Sequence, residues 1–319
     1  MSTPESSADL EHAARARGAE MNLVAAVLLS LRPRQWVKNL FVFAAVIFAQ
    51  KLFTPLLWTA VLAFVIFCGL SGAIYLINDV TDMDRDRLHP VKRRRPVASG
   101  ALPRGLAMAI GPLLLAVSLA AAFALSWRFG VVAAGYGALL VAYSLWLKSM
   151  VILDVLTVAV GFVLRAVAGA AAVDVDISGW LVICTILIAL FLALGKRRHE
   201  YLSLKGAAAA HRPILAEYSE GFLDQMIAVV TASTVMAYAL YTMWPETVAK
   251  FHTRLLPLTL PFVLYGIFRY LYLLYRRDLG GNPSDLLLND RALLVNTLLW
   301  MGAVTAIIYG SAWGIGWPR

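Results

Sequence analysis

Apolar residues fill this chain in long blocks, and the polar residues collect between them. Nine blocks stand out, at about 34–50, 55–78, 104–126, 129–147, 151–173, 178–196, 222–243, 255–275 and 291–313. Most approach the roughly 20 residues an α-helix needs to cross the hydrocarbon of a bilayer. The first is shorter and polar at its start, so it is expected to begin at the interface. The pattern predicts an all-α integral membrane protein with about nine transmembrane helices. Residues 1–20 break it: they are polar, rich in Ala, Glu and Arg, and contain no apolar run. They read as a disordered cytoplasmic tail rather than a signal peptide, leaving 21–319 as one transmembrane domain.

Composition agrees. Of 319 residues, 61% are hydrophobic and 15% charged, with a mean hydropathy of +0.74, far from a soluble domain. The formal charge of +9 raises the question of nucleic acid, but the placement of the cations answers it. With the N-terminus in the cytoplasm, 21 of the 28 Lys and Arg fall in cytoplasmic segments and 5 on the other side. The other two, Arg165 and Arg269, lie in the interior of blocks. That is the bias that orients membrane proteins, here expected in an inner (plasma) membrane, and no nucleic-acid partner is expected. Cys68 and Cys184 both sit in apolar runs and imply no disulfide framework.

Positive-inside bias does not explain Asn78-Asp79-Val80-Thr81-Asp82-Met83-Asp84-Arg85-Asp86, where the second block meets water. On a continuing helix Asp79, Asp82 and Asp86 follow i, i+3, i+7 spacing and share a face. Like charges on one face need a cation between them. A hard cation such as Mg2+ takes carboxylate oxygens and shares itself with a substrate's phosphates. Lys92, Arg93 and Arg95 follow at once and suit the remaining phosphate charge, although a cationic loop beside anionic lipid is also routine. Asp84 points off the face.

Other polar residues fall at the same end. Arg165 is buried in the fifth block, on one helix face with Asp154, where it serves a structural pairing or reaches a substrate phosphate. Lys196, Arg197 and Glu200 end the sixth block, as a stop signal or as pocket lining, with Arg198 pointing away. Tyr143 and Lys148 end the fourth; a Lys snorkelling to the interface and one touching substrate look alike there. Asp285, Asp290 and Arg291 cap the last helix or hold a loop over the site. Tyr75 lines the cavity or packs. The five His lack metal-ligand spacing, and no Gly-rich phosphate loop, Ser/His/Asp set or zinc motif is present. The residues read as a membrane enzyme that handles a diphosphate.

On these motifs the chain resembles the UbiA superfamily of intramembrane prenyltransferases. Asn78, Asp79, Asp82 and Asp86 match its N-D-x-x-D-x-x-x-D at every position. Within it the chain is similar to the branch that transfers 5-phosphoribosyl to decaprenyl phosphate. The shared stretches are Arg32-Pro33-Arg34-Gln35-Trp36-Val37-Lys38-Asn39, Asp86-Arg87-x-His89-Pro90-x-Lys92-x-x-Arg95-Pro96, Tyr143-Ser144-x-x-Leu147-Lys148, Leu164-Arg165-Ala166-x-Ala168-Gly169, Gly195-Lys196-Arg197-x-x-Glu200 and Gly281-Asn282-Pro283-x-Asp285 with Asp290-Arg291. Ordinary members carry a second aspartate-rich motif after the sixth span. Here Lys196-Arg197-Arg198-His199-Glu200 stands in its place, and cations suit a second anionic substrate.

The resemblance implies a helical bundle around a cytoplasm-facing polar cavity, and a homotrimer. It implies Mg2+ on Asp79, Asp82 and Asp86, and substrate contacts from Asn78, Lys38, Lys92, Arg93, Arg95, Tyr143, Lys148, Arg165, Lys196, Arg197 and Glu200. The implied reaction joins phosphoribosyl diphosphate to polyprenyl phosphate with release of diphosphate, feeding lipid-linked arabinose donors for cell-envelope glycans. Two alternatives differ in kind. An aromatic prenyltransferase of the quinone or haem type would need the missing second aspartate motif. A transporter would show two related halves, and no convincing internal repeat is visible.

Overall fold

The computed structural model describes residues 22–88, 91–203, 213–277 and 279–310; the expected tail and the His89-Pro90 pair lie outside these. Among the described residues there is no β-strand. Eight helices are long and apolar enough to cross a membrane: α3 (Leu56–Thr81), α6 (Arg104–Leu125), α7 (Trp127–Leu145), α8 (Leu153–Ala172), α9 (Gly179–Ser203), α10 (Glu220–Met243), α12 (Leu260–Arg276, preceded by a 3₁₀ turn from Leu256) and α14 (Arg291–Gly310). The protein is an integral membrane protein. Shorter helices complete the order: α1 (Leu23–Ser30), α2 (Ala44–Phe48), α4 (Met83–Leu88), α5 (Pro96–Ser99), α11 (Pro245–Phe251) and α13 (Pro283–Asn289).

The first expected span departs from the reading. Residues Pro33–Phe43 form a 3₁₀ helix, followed by the single short turn of α2. Arg32, in the left-handed region at φ 53°, and Pro33 fix its entry. Trp36, Val37, Phe41, Val42 and Phe43 are weak α-helix formers. The segment nevertheless runs the length of the bundle, because a 3₁₀ helix rises about 2.0 Å per residue against 1.5 Å in an α-helix. At one end Arg32 meets Asp79 at the C-terminus of α3. At the other, Gln50 Nε2 donates to the Ile308 carbonyl at 2.8 Å, near the end of α14. The nine expected spans become eight long helices and this strip.

Two clusters hold the bundle. One joins α9, α10 and α12 through Phe191, Leu194, Leu223, Ile227, Ile267 and Tyr270. The other joins α3, α6, α7 and α8 through Phe67, Leu70, Phe129, Tyr136 and Ala168, with Val42 from the strip. Small residues on α8 let backbones approach closely, as membrane interfaces favour. At Gly169 the approach is extreme: a Cβ there would lie 2.0 Å from the Val42 carbonyl oxygen.

Candidate active site

A cavity of about 1250 Å³ runs along the strip and between α3, α8, α9, α10, α12 and α14. The strip's geometry decides what it offers. With three residues per turn, every third side chain falls in one row. Arg32, Gln35, Lys38, Phe41, Ala44 and Ile47 all line the cavity. The row begins cationic and ends apolar.

The cationic end meets the aspartates. The single helical face expected for Asp79, Asp82 and Asp86 does not form. Helix α3 ends at Thr81, and Asp82 leaves helical geometry (φ −93°, ψ 4°) before α4 begins at Met83. Asp82 therefore parts from the other two. Asp79 and Asp86 are 2% and 3% exposed and converge on Arg95, whose Nη1 lies 3.1 Å from Asp79 Oδ1 and 2.6 Å from Asp86 Oδ2. Arg32 Nη2 reaches the same Asp79 oxygen at 2.5 Å and lies over the Tyr75 ring at 4.7 Å. Asp82 lines the cavity with Asn78, and its carboxylate has no hydrogen bond or ion pair among the described residues. Asp84 is exposed and pairs with Arg87 at 3.5 Å.

The basic loop splits in the same way. Lys92–Arg94 form a 3₁₀ turn, so Lys92 and Arg95 stand one turn apart and both line the cavity. Arg93 and Arg94 turn outward and are exposed, off the cavity wall. Lys148 is likewise off the cavity wall, while Tyr143 and Ser144 are on it. Helix α7 stops at Leu145 and a 3₁₀ turn, Leu147–Ser149, redirects the chain.

Arg165 lines the cavity deep in α8. Its Nε donates to Asn39 Oδ1 at 2.8 Å, Nη1 to the Gly161 carbonyl at 2.8 Å and Nη2 to the Tyr136 hydroxyl at 2.6 Å. Three of five donors are thus used to fix the group and two remain. Asp154 does not pair with it. The Asp154 carboxylate instead meets Arg197 Nη2 at 2.6 Å. Arg197 also bonds Glu200, which Lys196 approaches at 3.6 Å. Lys196 and Arg197 line the cavity; Glu200 stands behind them. Arg198 turns away to Asp224 and Glu220. Arg269 pairs with Asp290 at 2.7 Å, and Asp290 Oδ1 accepts from the Leu293 N–H at 2.8 Å, capping α14.

Sequence reasoning did not assign Arg32, Gln35, Asn39 or Asn282 to the site. Arg32, Gln35 and Lys38 carried a signal, polar residues at a period of three; Asn39, directly after Lys38, carried none.

The wall thus carries Arg32, Lys38, Lys92, Arg95, Arg165 and Lys196 with Asp82 among them, Arg197 between carboxylates, and Asp79 and Asp86 held by Arg32 and Arg95. A family model described as the UbiA prenyltransferase family matches residues 39–289. The chain belongs to the UbiA family. Curated UbiA relatives include two proteins named decaprenyl-phosphate phosphoribosyltransferase. The one from Mycolicibacterium smegmatis is 32% identical over 317 residues, 94% of this chain and 98% of that protein. The one from Corynebacterium glutamicum is 34% identical over 305 residues, 90% and 88% respectively. Among solved structures, a UbiA homologue from Archaeoglobus fulgidus bound to GPP and Mg2+ superposes with a TM-score of 0.68 at 21% identity, covering 89% of this chain and 99% of that one. That likeness establishes the UbiA fold. The chain is an enzyme of the UbiA family.

The donor chemistry can be tested against a divalent cation. Three carboxylates and an amide, all hard oxygen donors, lie within one stretch. Two of the carboxylates already converge on a single positive centre, the Arg95 guanidinium, and Asp82 faces the cavity unpaired. The residue types fit, although among the described residues no three acidic, His or Cys side chains are close enough to hold one ion together.

Proposed function

We propose that this protein transfers the 5-phosphoribosyl group of phosphoribosyl diphosphate to a polyprenyl phosphate, decaprenyl phosphate in the named relatives, releasing diphosphate. The product is a lipid-linked phosphoribose, the kind of intermediate from which arabinose donors for cell-envelope glycans are made. The observation that carries the reading is the placement of Lys196 and Arg197 on the wall of the cavity that Asp82 also lines, where a prenyl-diphosphate enzyme of this family would carry a second acidic motif. Cations there suit a second phosphate. The curated relatives support it by name over nearly their whole length.

The sugar's leaving diphosphate lies at the aspartate end. Asp82, which faces the cavity beside Asn78, would hold Mg2+, which would supply charge neutralisation for the departing diphosphate, while Asp79 and Asp86 stay with Arg32 and Arg95. Lys92 and Arg95 line the cavity beside them and take the remaining phosphate charge. Lipid phosphate is already anionic at neutral pH, so the site needs no strong general base. Its oxygen attacks the anomeric carbon as the bond from that carbon to the diphosphate oxygen breaks. Lys38, Arg165 and Lys196 line the route and orient the phosphates by charge and hydrogen bonding. Asn39 and Tyr136 fix the Arg165 guanidinium in advance. The isoprenoid lies along the apolar continuation of the strip, against Phe41 and Ile47 and on toward Trp180.

The same proposal puts the aspartate end in the cytoplasm, supported by the Lys and Arg bias, and carries over the family's homotrimer. The test supplies labelled phosphoribosyl diphosphate, Mg2+ and polyprenyl phosphate to detergent-purified protein and counts label in the organic phase, with Asp82→Ala alongside. Lipid-borne label lost with EDTA and with the variant is the expected result. Absence of such label, with prenylation of a 4-hydroxybenzoate-type acceptor from a prenyl diphosphate, overturns the proposal.

A further inference from the structure

Arg197 stands at the cavity wall yet is only 5% exposed. A guanidinium so buried needs fixed counter-charges. Glu200 supplies one, but it is partly exposed and shared with Lys196. Asp154, in the first turn of α8, supplies the other and is fully buried.

Asp154 is itself held. The Tyr218 hydroxyl donates to Asp154 Oδ1 at 2.7 Å and accepts from the Ile152 backbone N–H at 2.9 Å. Tyr218 precedes α10 in the chain, so this link ties the entry of α10 to the start of α8 and, through Arg197, to the end of α9. Burial pushes the Tyr218 hydroxyl up to about 12, so it keeps its proton and stays a donor. Ile152 adopts φ 68°. With ψ −44° this is a tight γ-turn, closed by the Leu153 N–H donating to the Val151 carbonyl at 2.8 Å, and positive φ in a β-branched residue is strained and persists only where its surroundings fix it. Arg197 Nε is buried with no acceptor from the protein, and Asp154 Oδ2, 2.6 Å from Arg197 Nη2, holds it by charge rather than by a hydrogen bond.

We infer that Asp154 and Tyr218 are positioning residues that set the direction of Arg197 for an oxygen of the lipid phosphate. The inference rests on the reading of Arg197 as a phosphate-binding group. Glu200, more exposed and shared, is the counter-charge that yields; Asp154, locked by Tyr218, is the one that does not.

A double-mutant cycle separates this from simple glue between helices. The probe is farnesyl phosphate, titrated against detergent-purified wild type, Tyr218→Phe, Arg197→Gln and the double variant. Kd is read by ligand-induced thermal shift, and KM and kcat come from the transfer assay. Tyr218→Phe is expected to raise Kd and KM for the lipid phosphate about tenfold, with kcat changed less, a normal coupling for linked residues. In the Arg197→Gln background the same change is expected to have no further effect. Equal losses in both backgrounds overturn the inference. Asp154→Asn, which keeps the acceptor for Tyr218 and removes the charge, serves in the same cycle if Tyr218→Phe does not fold. Wild-type protein that fails to bind farnesyl phosphate also overturns it. Wild-type protein that binds farnesyl phosphate with the expected coupling, but moves no ribosyl group, removes the proposed reaction and leaves this positioning role standing.

Discussion

Arg95 is the cation on which two buried carboxylates depend, and replacing it by Gln isolates that dependence. Asp79 keeps Arg32 at 2.5 Å when Arg95 is lost. Asp86 loses its contact at 2.6 Å and has no second cation among the described residues. The side chains of Asp79 and Asp86 are 2% and 4% exposed and that of Arg95 28%, so the group behaves more as a buried pair than a surface one. Removing one member of a buried pair costs about 3–5 kcal/mol; the partial exposure of Arg95 favours the lower end, roughly 3 kcal/mol. For a chain of this size that lowers Tm by roughly 4–5 °C. The diagnostic variant is the double, Arg95→Gln with Asp86→Asn, which removes the uncompensated charge and is expected to recover about half of the loss. Thermal unfolding in detergent, followed by intrinsic fluorescence, reads all three proteins. A double variant no more stable than the single, or a single variant melting within a degree of wild type, refutes the reasoning.

Gly169→Ala sets a methyl group 2.0 Å from the Val42 carbonyl oxygen; backbone cannot rotate aside as a side chain can, so a loss of about 3 kcal/mol or more is expected in the same melt. Arg93→Ala is expected to keep wild-type transfer rates, and Lys92→Ala and Arg95→Ala to lose them, because only the latter two face the cavity. The hydrogen bond from Arg269 holds the Asp290 carboxyl below the usual carboxylate range. That stabilisation is therefore full above the ordinary carboxylate pKa of about 3.9 and fades as pH falls through the lowered value. The Tm gap between wild type and Arg269→Gln is expected to be widest near neutral pH and to close in acid; a gap independent of pH contradicts the pairing.

Hydropathy alone locates the eight long helices, because a membrane span is written in consecutive residues. The strip at 33–48 escapes that reading: its length comes from 3₁₀ rise rather than residue count, and its row of Arg32, Gln35 and Lys38 has a period of three. The aspartates show a second limit. Spacing places Asp79, Asp82 and Asp86 on one face only while the helix lasts, and no Gly or Pro marks its end at Asp82. Asp154 and Arg165 do share a helix, but shared placement does not choose partners. Arg165 is claimed by Asn39 and Tyr136, and Asp154 by Arg197 and Tyr218, from segments far away in sequence. Arg93 and Arg95 look equivalent in the chain and differ only through the 3₁₀ turn that carries them.

The row along the strip also constrains how such a chain can change length. One residue inserted between Lys38 and Phe41 would rotate everything beyond it by about 120°, sending the apolar half of the row into α8 and the Gly169 contact. Only insertions or deletions in threes return the row to the cavity, each moving the boundary between its cationic and apolar halves by about 6 Å. The depth at which a lipid's head gives way to its tail is thereby quantised, and intermediate depths are closed to gradual adjustment.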